Sequence, residues 1–389
     1  MTNSRRAAAF AVARWLMTKD DPAALLPAAG DRAFVQDLVY TVIRRLRPLR
    51  RILGEFVARW PKGELEALLY VGAAQILYMP SVPDFAAVNE TVEAAKTCAN
   101  KSVAKVVNGV LRNLLRRRAE IESELAAASV EEREGYPNAL YRRWVERFGA
   151  ENAERLAGWH NRPAETFLAY PDGRFVKLER GRRVTEVEGY ADGAFIVQNP
   201  ATALAVSAVD AQAGMAVLDA CAAPGGKTIQ LAWRGACVTA CEVNPKRRRR
   251  LAENLVRLHL DGRVKVVEDF AALGDQAFDR VLVDAPCSNT GVLRRRPDAR
   301  WNWSEEKLSE LVKLQREILD AVAPHVKVGG LLVYSTCSND RAENDDQVNE
   351  FLSRHPGFVL VGADESFPFE ASGEQGHDGA YAAALKRNI

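Results

Sequence analysis

"LDACAAPGGKT", residues 218–228, decides how the second half of the chain is read. An apolar run ending on Asp219 passes into a loop of small residues, Ala220 to Gly226, and a helix opens at about Lys227. Strand, small-residue loop and helix in that order make a cradle where backbone closely approaches a ligand. The P-loop pattern G-x-x-x-x-G-K-[ST] is nearly met, because Gly226, Lys227 and Thr228 fill its last places, but Cys221 stands where its first glycine belongs. A triphosphate loop is disfavoured on that ground, and nothing beyond Asp284 suggests a magnesium-binding apparatus.

Outward from the loop, apolar β runs alternate with helical stretches: "MAVLDA" (215–220), "ACVTACEV" (236–243), "RVKVVE" (263–268), "FDRVLVDAP" (278–286) and "GGLLVYSTC" (329–337). The alternation predicts a parallel sheet with helices on both faces, with ligands at the carboxyl ends of its strands. Glu242, ending the second run about 20 residues after the loop, is placed to take ribose hydroxyls, and Asp269, ending the third, to meet an adenine amino group. Loop, ribose acid and adenine acid together describe an adenosine-containing ligand.

The fourth and fifth strand ends carry the chemistry. "VLVDAPCSNTG" (281–291) brings Asp284 and Cys287, and "LLVYSTCSND" (331–340) brings Cys337. A lone cysteine after a strand is usually an inert small hydrophobe. Two on post-strand loops at the ligand edge point instead to thiolate chemistry, because a thiolate is a strong carbon nucleophile. A cytosine ring would use both: its carbon 5 becomes nucleophilic once a thiolate adds at carbon 6, Asp284 at ring nitrogen 3 would stabilise the adduct, and the second thiol could assist the final elimination.

The rest of the chain sets bounds. At 389 residues, 48% hydrophobic and 27% charged, it should form two or three globular domains. The N-terminal "MTNSRRAAAFAVARWLMTKDD" reads as an amphipathic helix rather than a signal peptide, and no apolar run approaches a membrane span of about 20 residues. The six cysteines lack disulfide or C-x-x-C spacing, so a reducing cytoplasm and no metal site are expected, and Cys237 and Cys241 read as buried packing on one strand face. Net charge is only +2, yet arginine and lysine clump at 44–51, 116–118, 180–183, 246–250 and 294–296, which favours a polyanion partner, and Arg294 to Arg296 would hold phosphates beside the Cys287 loop. Residues 1–125 show helical periodicity (Leu38, Val42 and Leu46; Leu65, Leu68, Leu69 and Ala73) and should form an all-α domain. Residues 126–200 are more polar and predict a small α+β connector, and 201–389 form the α/β domain.

At these motifs the chain resembles a known family. "DACAAPGGKT" (219–228), "DAPCSNTG" (284–291) and "YSTCS" (334–338) are similar to the cofactor and double-cysteine motifs of RNA 5-methylcytosine methyltransferases of the Sun/Nop2 group. "DRAFVQDLVYTVIRRL" (31–46), "LLYVGAAQILYMPSVPDFAAVNETVEAAK" (68–96) and "VNGVLRNLLR" (107–116) resemble the helical RNA-binding domain of the antitermination factor NusB. That domain order resembles the RsmB/Sun (Fmu) family of 16S ribosomal RNA cytosine-5 methyltransferases.

The resemblance implies a NusB-like domain, a connector and a Rossmann-like class I methyltransferase domain acting on RNA with S-adenosylmethionine. It implies Cys337 as nucleophile and Cys287 as release cysteine. Cys221, Ala222, Ala223, Pro224, Gly225, Gly226, Lys227, Glu242, Asp269 and Asp284 would be the cofactor and active-site contacts. Glu242 replaces a common aspartate, Asn199 stands where an acidic residue is common, and "RAENDD" (341–346) replaces a more regular run of glutamates. A non-catalytic RNA-binding protein on a retained methyltransferase fold would have been suggested by loss of either cysteine, and both are present. A DNA cytosine methylase shares the Pro-Cys motif but not Thr336-Cys337 or the N-terminal domain. The modified cytosine, the state of the RNA substrate and the oligomeric state are not written in the sequence.

Overall fold

The computed structural model describes residues 4–28, 31–98, 101–368 and 377–389. The chain forms two compact units, one of Met1–Pro163 with Leu293–Asn302, the other of Ala164–Val292 with Trp303–Ile389. The 126–200 stretch, expected as one connector, is divided between them.

The first unit is helical: α1 (Ser4–Thr18), α2 (Arg32–Arg44), α3 (Leu46–Gly54), α4 (Glu64–Tyr78), α5 (Asp84–Cys98), α6 (Lys101–Arg116), α7 (Arg118–Ala127), α8 (Val130–Arg133) and α9 (Asn138–His160). Asp31 caps α2 by accepting from the Phe34 N–H (3.1 Å), and Val35, Leu38, Val39 and Val42 then recur on its buried face. The Leu38–Val42–Leu46 series does not run along one helix, because the chain breaks at Arg45 and Leu46 opens α3. The helix α4 is buried over nearly its whole length, from Ala67 to Ile76, and forms the middle of this core.

Leu293–Asn302 reaches this unit from the far side of the sequence, and the contact corrects one reading. Arg294, expected at an RNA phosphate, is 2% exposed and lies over the Trp159 ring at 4.4 Å. Arg296 is paired with Asp298. Arg300 is fully buried and donates to Arg44 O (3.1 Å), Gly135 O (3.4 Å) and Asn161 Oδ1 (3.0 Å), with its guanidinium over the Tyr136 ring. Trp301 Nε1 donates to Ile43 O at 2.7 Å, and Arg44 Nη2 donates to Arg294 O at 2.8 Å. A guanidinium carries five donors and a flat face, so carbonyls and aromatic rings can hold it where no carboxylate stands.

The second unit begins with a small antiparallel sheet, β1 (Phe167–Ala169) between β2 (Phe175–Lys177) and β3 (Ile196–Val197). The main sheet follows: β4 (Ala216–Asp219), β5 (Cys237–Cys241), β6 (Val264–Val267), β7 (Phe278–Asp284), β8 (Val326–Thr336), β9 (Phe358–Ser366) and β10 (Ala380–Arg387). Their order is β6-β5-β4-β7-β8-β10-β9, parallel except where β10 runs antiparallel to β8 and β9. The helices are α10 (Ala203–Val209), α11 (Gly226–Trp233), α12 (Pro245–Arg257), α14 (Glu305–Val322) and α15 (Asp345–Arg354); α13 (Ala299–Asn302) belongs to the first unit. Two apolar clusters fill the second unit, one with Ile229, Leu231 and Leu251, the other with Leu319, Val322 and Phe351. Strand order reverses between β4 and β7, so a crevice opens beyond their carboxyl ends.

Cys241 is buried as expected, but Cys237 is exposed, because it is the first residue of β5 and the covering side chains begin one residue later. Among the described residues, no helix is long and apolar enough to cross a membrane.

Arg300→Met should destabilise the protein by roughly 2 kcal/mol, since buried acceptors lose their donor while the cost of burying the charge is relieved. Urea denaturation gives the value, and an unchanged midpoint would show that the carbonyls find other partners.

Candidate active site

Sheet register brings the predicted residues to one edge. Asp219 pairs with Leu282 across β4–β7, and Asp284 with Ser335 across β7–β8, so Asp219, Asp284 and Cys337 end adjacent strands. The loop from Ala220 to Gly225 is tied down by Ala222 N donating to Cys241 O (3.0 Å), Gly225 N to Ala222 O (2.8 Å) and Asn254 Nδ2 to Pro224 O (2.8 Å). Cys221, Ala223 and Pro224 lie within this tied loop. Gly225 has φ +108 and precedes Gly226, the first residue of α11. A Cβ there would lie 2.7 Å from Leu251 Cδ1, so the space a side chain would fill belongs to the core and not to a ligand.

The acidic residues divide their oxygens. Buried Glu242 follows β5 and accepts from Asn244 N through Oε1 (2.9 Å). Exposed Asp269, two residues beyond β6, accepts from Ala272 N through Oδ1 (2.9 Å). Each fixes its loop with one oxygen and keeps a second. Asp219 is 1% exposed and accepts from Thr228 Oγ1 at 2.6 Å; burial pushes its carboxyl up to about 6, against that hydrogen bond. Lys227 Nζ lies 2.5 Å from Asp284 Oδ2, and although burial works against its charge, Asp284 more than offsets it and raises the ammonium above its ordinary value. The Cys221 thiol is pushed far up, by burial first and then by Asp219, Asp284 and Glu242, so it is an uncharged lining group.

Cys287 and Cys337 meet: their sulfurs are 3.2 Å apart. Cys337 follows β8 directly, and its thiol donates to Asn289 Oδ1 (3.4 Å). Asn289 sits at φ +60 and returns its amide to Cys287 O (2.8 Å), bending the Cys287 loop over the second thiol. Gly291 N donates to Cys337 O at 2.9 Å, and a Cβ at Gly291 would lie 2.6 Å from that same oxygen. The sulfur hydrogen bond, then burial, push the Cys287 thiol well up, so Cys287 keeps its proton at neutral pH.

Below the thiols lies a polar network that sequence reasoning missed: Ser288, Thr290, Gln315, Ser338, Glu343 and Asn344. Glu343 is wholly buried in it. The available signal was "RAENDD", where an acid follows a serine-rich cysteine loop by a few residues.

The basic clusters do not all face solvent. Arg45, Arg51, Arg117 and Arg118 are engaged by glutamates or aspartates of their own unit. Lys246, Arg247, Arg249 and Arg250 on α12 are exposed, as are Arg182 and Arg183 after β2.

Residues 206–385 match the sequence model of the 16S rRNA methyltransferase RsmB/F family, and residues 2–116 that of the NusB family. The ribosomal RNA small subunit methyltransferase B of Serratia proteamaculans is 35% identical over 399 residues, 92% of this chain and 92% of that protein. That of Vibrio cholerae is 35% identical over 427 residues, 99% of this chain and 98% of its own length. The chain belongs to the RsmB/F methyltransferase family. Among solved structures, PH0851 covers 99% of this chain and 98% of its own at TM-score 0.80 and 22% identity; a methyltransferase homolog from Pyrococcus horikoshii covers 66% and 97% at TM-score 0.57 and 22% identity. Both show the same fold.

The cofactor of this methyltransferase family is S-adenosylmethionine. The strand-end residues fit it: a tied loop presents backbone, and Glu242 and Asp269 each hold back a carboxylate oxygen suited to hydroxyl and amino donors.

Two outcomes follow from this geometry. Gly225→Val should weaken S-adenosylmethionine binding at least tenfold by calorimetry, because the branched residue is strained at φ +108 and its Cβ meets Leu251; unchanged affinity would remove the loop from the site. Asp219, raised from 3.8 to about 6, favours the folded state most below pH 4 and loses that contribution as pH rises through 6. Relative to Asp219→Asn, the parent should therefore lose roughly 2 kcal/mol of unfolding free energy between pH 4 and 7. A flat difference across that range would mean that Asp219 ionises normally.

Proposed function

We propose that the chain transfers a methyl group to carbon 5 of a cytosine in small-subunit ribosomal RNA, in the cytoplasm, through a covalent cysteine–cytosine adduct. The sulfur pair carries this reading: two thiols 3.2 Å apart at neighbouring strand ends suit a reaction in which one sulfur adds to the ring and the other serves the later steps.

The bound cofactor supplies the methyl group. Cys337 is the nucleophile, adding as thiolate to carbon 6 and pushing the ring's electron pair toward carbon 5 and the N3–O2 side. The Lys227 ammonium stabilises that displaced charge, and its partner Asp284 relays a proton from it to ring nitrogen 3. After transfer, carbon 5 gives its proton to solvent water, the electron pair left behind restores the C5–C6 double bond as the C6–S bond breaks, and Cys337 leaves as thiolate. Cys287, held as a neutral thiol at 3.2 Å, assists this release. Glu242 holds the ribose, Asp269 the adenine, and the Cys221–Lys227 loop the methionine part. The target base must leave its stack to reach two loop thiols, and the exposed bases of α12 and of the segment after β2 suit the flanking phosphates.

Denaturing electrophoresis with substrate RNA and S-adenosylmethionine separates the thiol roles. Cys287→Ala should accumulate a slow-migrating protein–RNA band, and Cys337→Ala should give none while still binding the cofactor. The opposite pattern would exchange nucleophile and assistant.

A further inference from the structure

Each active-site cysteine is followed by a serine, Ser288 after Cys287 and Ser338 after Cys337, and both serines turn to one carboxylate. Glu343 Oε1 accepts from Ser288 N (2.8 Å) and Gln315 Nε2 (3.0 Å). Its Oε2 accepts from Ser288 Oγ (2.5 Å) and from Ser338 Oγ. The two hydroxyls also meet each other at 3.1 Å, and Thr290 Oγ1 meets Ser338 Oγ at 3.1 Å. Gln315, on α14, also donates to Pro286 O (2.9 Å), the residue before Cys287. Glu343 itself is anchored by Tyr334 OH donating to its carbonyl (2.7 Å), and Tyr334 lies on β8 three residues before Cys337.

Nothing in the reaction touches Glu343. It is a buried acid with four donors on two oxygens, and burial raises its carboxyl despite them. Ion pairing does not explain it, because among the described residues no lysine, arginine or histidine is one of its partners. Its donors come from both cysteine loops and from the helix behind them, and a carboxylate is the one side chain that can accept from all four at once.

We propose that Glu343 is a positioning residue that sets the distance between the two active-site sulfurs by tying Ser288 and Ser338 to a single carboxylate. The catalytic consequence rests on the function proposed above; the spacing of the sulfurs does not. With the tie in place, the Cys287 loop stays over Cys337 through addition and release. Without it, the loops are joined by single hydrogen bonds, Gly291 N to Cys337 O, Asn339 N to Thr290 Oγ1, the Thr290–Ser338 hydroxyl pair and the Cys337 thiol to Asn289 Oδ1, none of which gathers both cysteine loops onto one group.

The test reads sulfur proximity directly in the full-length protein without RNA. Diamide is added, and the Cys287–Cys337 disulfide is quantified by peptide mapping, with melting temperature and S-adenosylmethionine affinity as controls for folding. The parent should form the disulfide readily. Glu343→Ala should form it at least tenfold more slowly. Glu343→Gln should stay within about threefold, since its amide oxygen can replace Oε1 for Ser288 N and Gln315, and both hydroxyls can rotate to accept from its NH2 group. Where Glu343→Ala fails its controls, the Ser288→Ala/Ser338→Ala pair, which removes only the hydroxyl ties, must show the same loss. Parent-like disulfide formation in the folded Ala variant, or in the double variant where the Ala variant is unfolded, overturns the proposal, as does Glu343→Gln behaving like Glu343→Ala. On substrate RNA, Glu343→Ala should also slow adduct release more than adduct formation. If Cys287→Ala forms no adduct but the disulfide pattern holds, the reaction assignment fails and the positioning role stands.

Discussion

The hydrogen-bond register of three parallel strands is the constraint on which the site depends. Pairing Asp219 with Leu282 and Asp284 with Ser335 fixes where β4, β7 and β8 end relative to one another. Because side chains alternate across a strand, a slip of one residue would turn Asp284 to the other face and carry Cys287 and Cys337 with it. The register is held by inward residues buried from both faces, Val217, Leu218, Val281, Leu282, Val283, Leu332 and Val333, so packing energy spread over the sheet is what aligns the reactive groups. The chemistry is local, but its geometry is set by the whole core.

Much of this was legible because parallel strands covered on both faces read as continuous apolar runs, and each of the five runs singled out is a strand in the main sheet. The cysteine loops were legible because their position after a strand already implies an edge. Leu293–Asn302 was not. Four arginines and an aspartate in ten residues look like a solvated, phosphate-seeking segment, whereas Arg294 and Arg300 are enclosed in the helical unit by carbonyls and aromatic rings. Sequence patterning treats charge as a mark of exposure, and a guanidinium satisfied by backbone acceptors defeats that rule. Glu343 escaped for the same reason: an acid in a polar stretch reads as surface until the donors around it are known.

At the ends of β5 and β6 a carboxylate shapes a loop with one oxygen and keeps the other. Glu242 and Asp269 each spend an oxygen on a backbone N–H two or three residues ahead, the Asx-type turn that sends chain out of a strand and into the next element. The extra methylene of Glu242, relative to a more common aspartate, is absorbed in that turn, because Oε1 still reaches Asn244 N at 2.9 Å. The fixed oxygen holds the other in place before any ligand arrives, which lowers the ordering cost of binding.

Of the thiols at this sheet edge, Cys221, Cys287 and Cys337 meet different surroundings. Cys221 is ringed by Asp219, Asp284 and Glu242 and is buried, so its thiolate is strongly disfavoured and it serves as a small neutral wall. Cys287 shares a hydrogen bond with Cys337 and lies near Glu343, so it too keeps its proton. Cys337 differs in what faces it: a sulfur that can donate to it and the amide oxygen of Asn289, with the Lys227 ammonium near enough to feel its charge. The two cysteines proposed to share the reaction therefore differ in their neighbours although their sulfurs touch, because each loop supplies its own set.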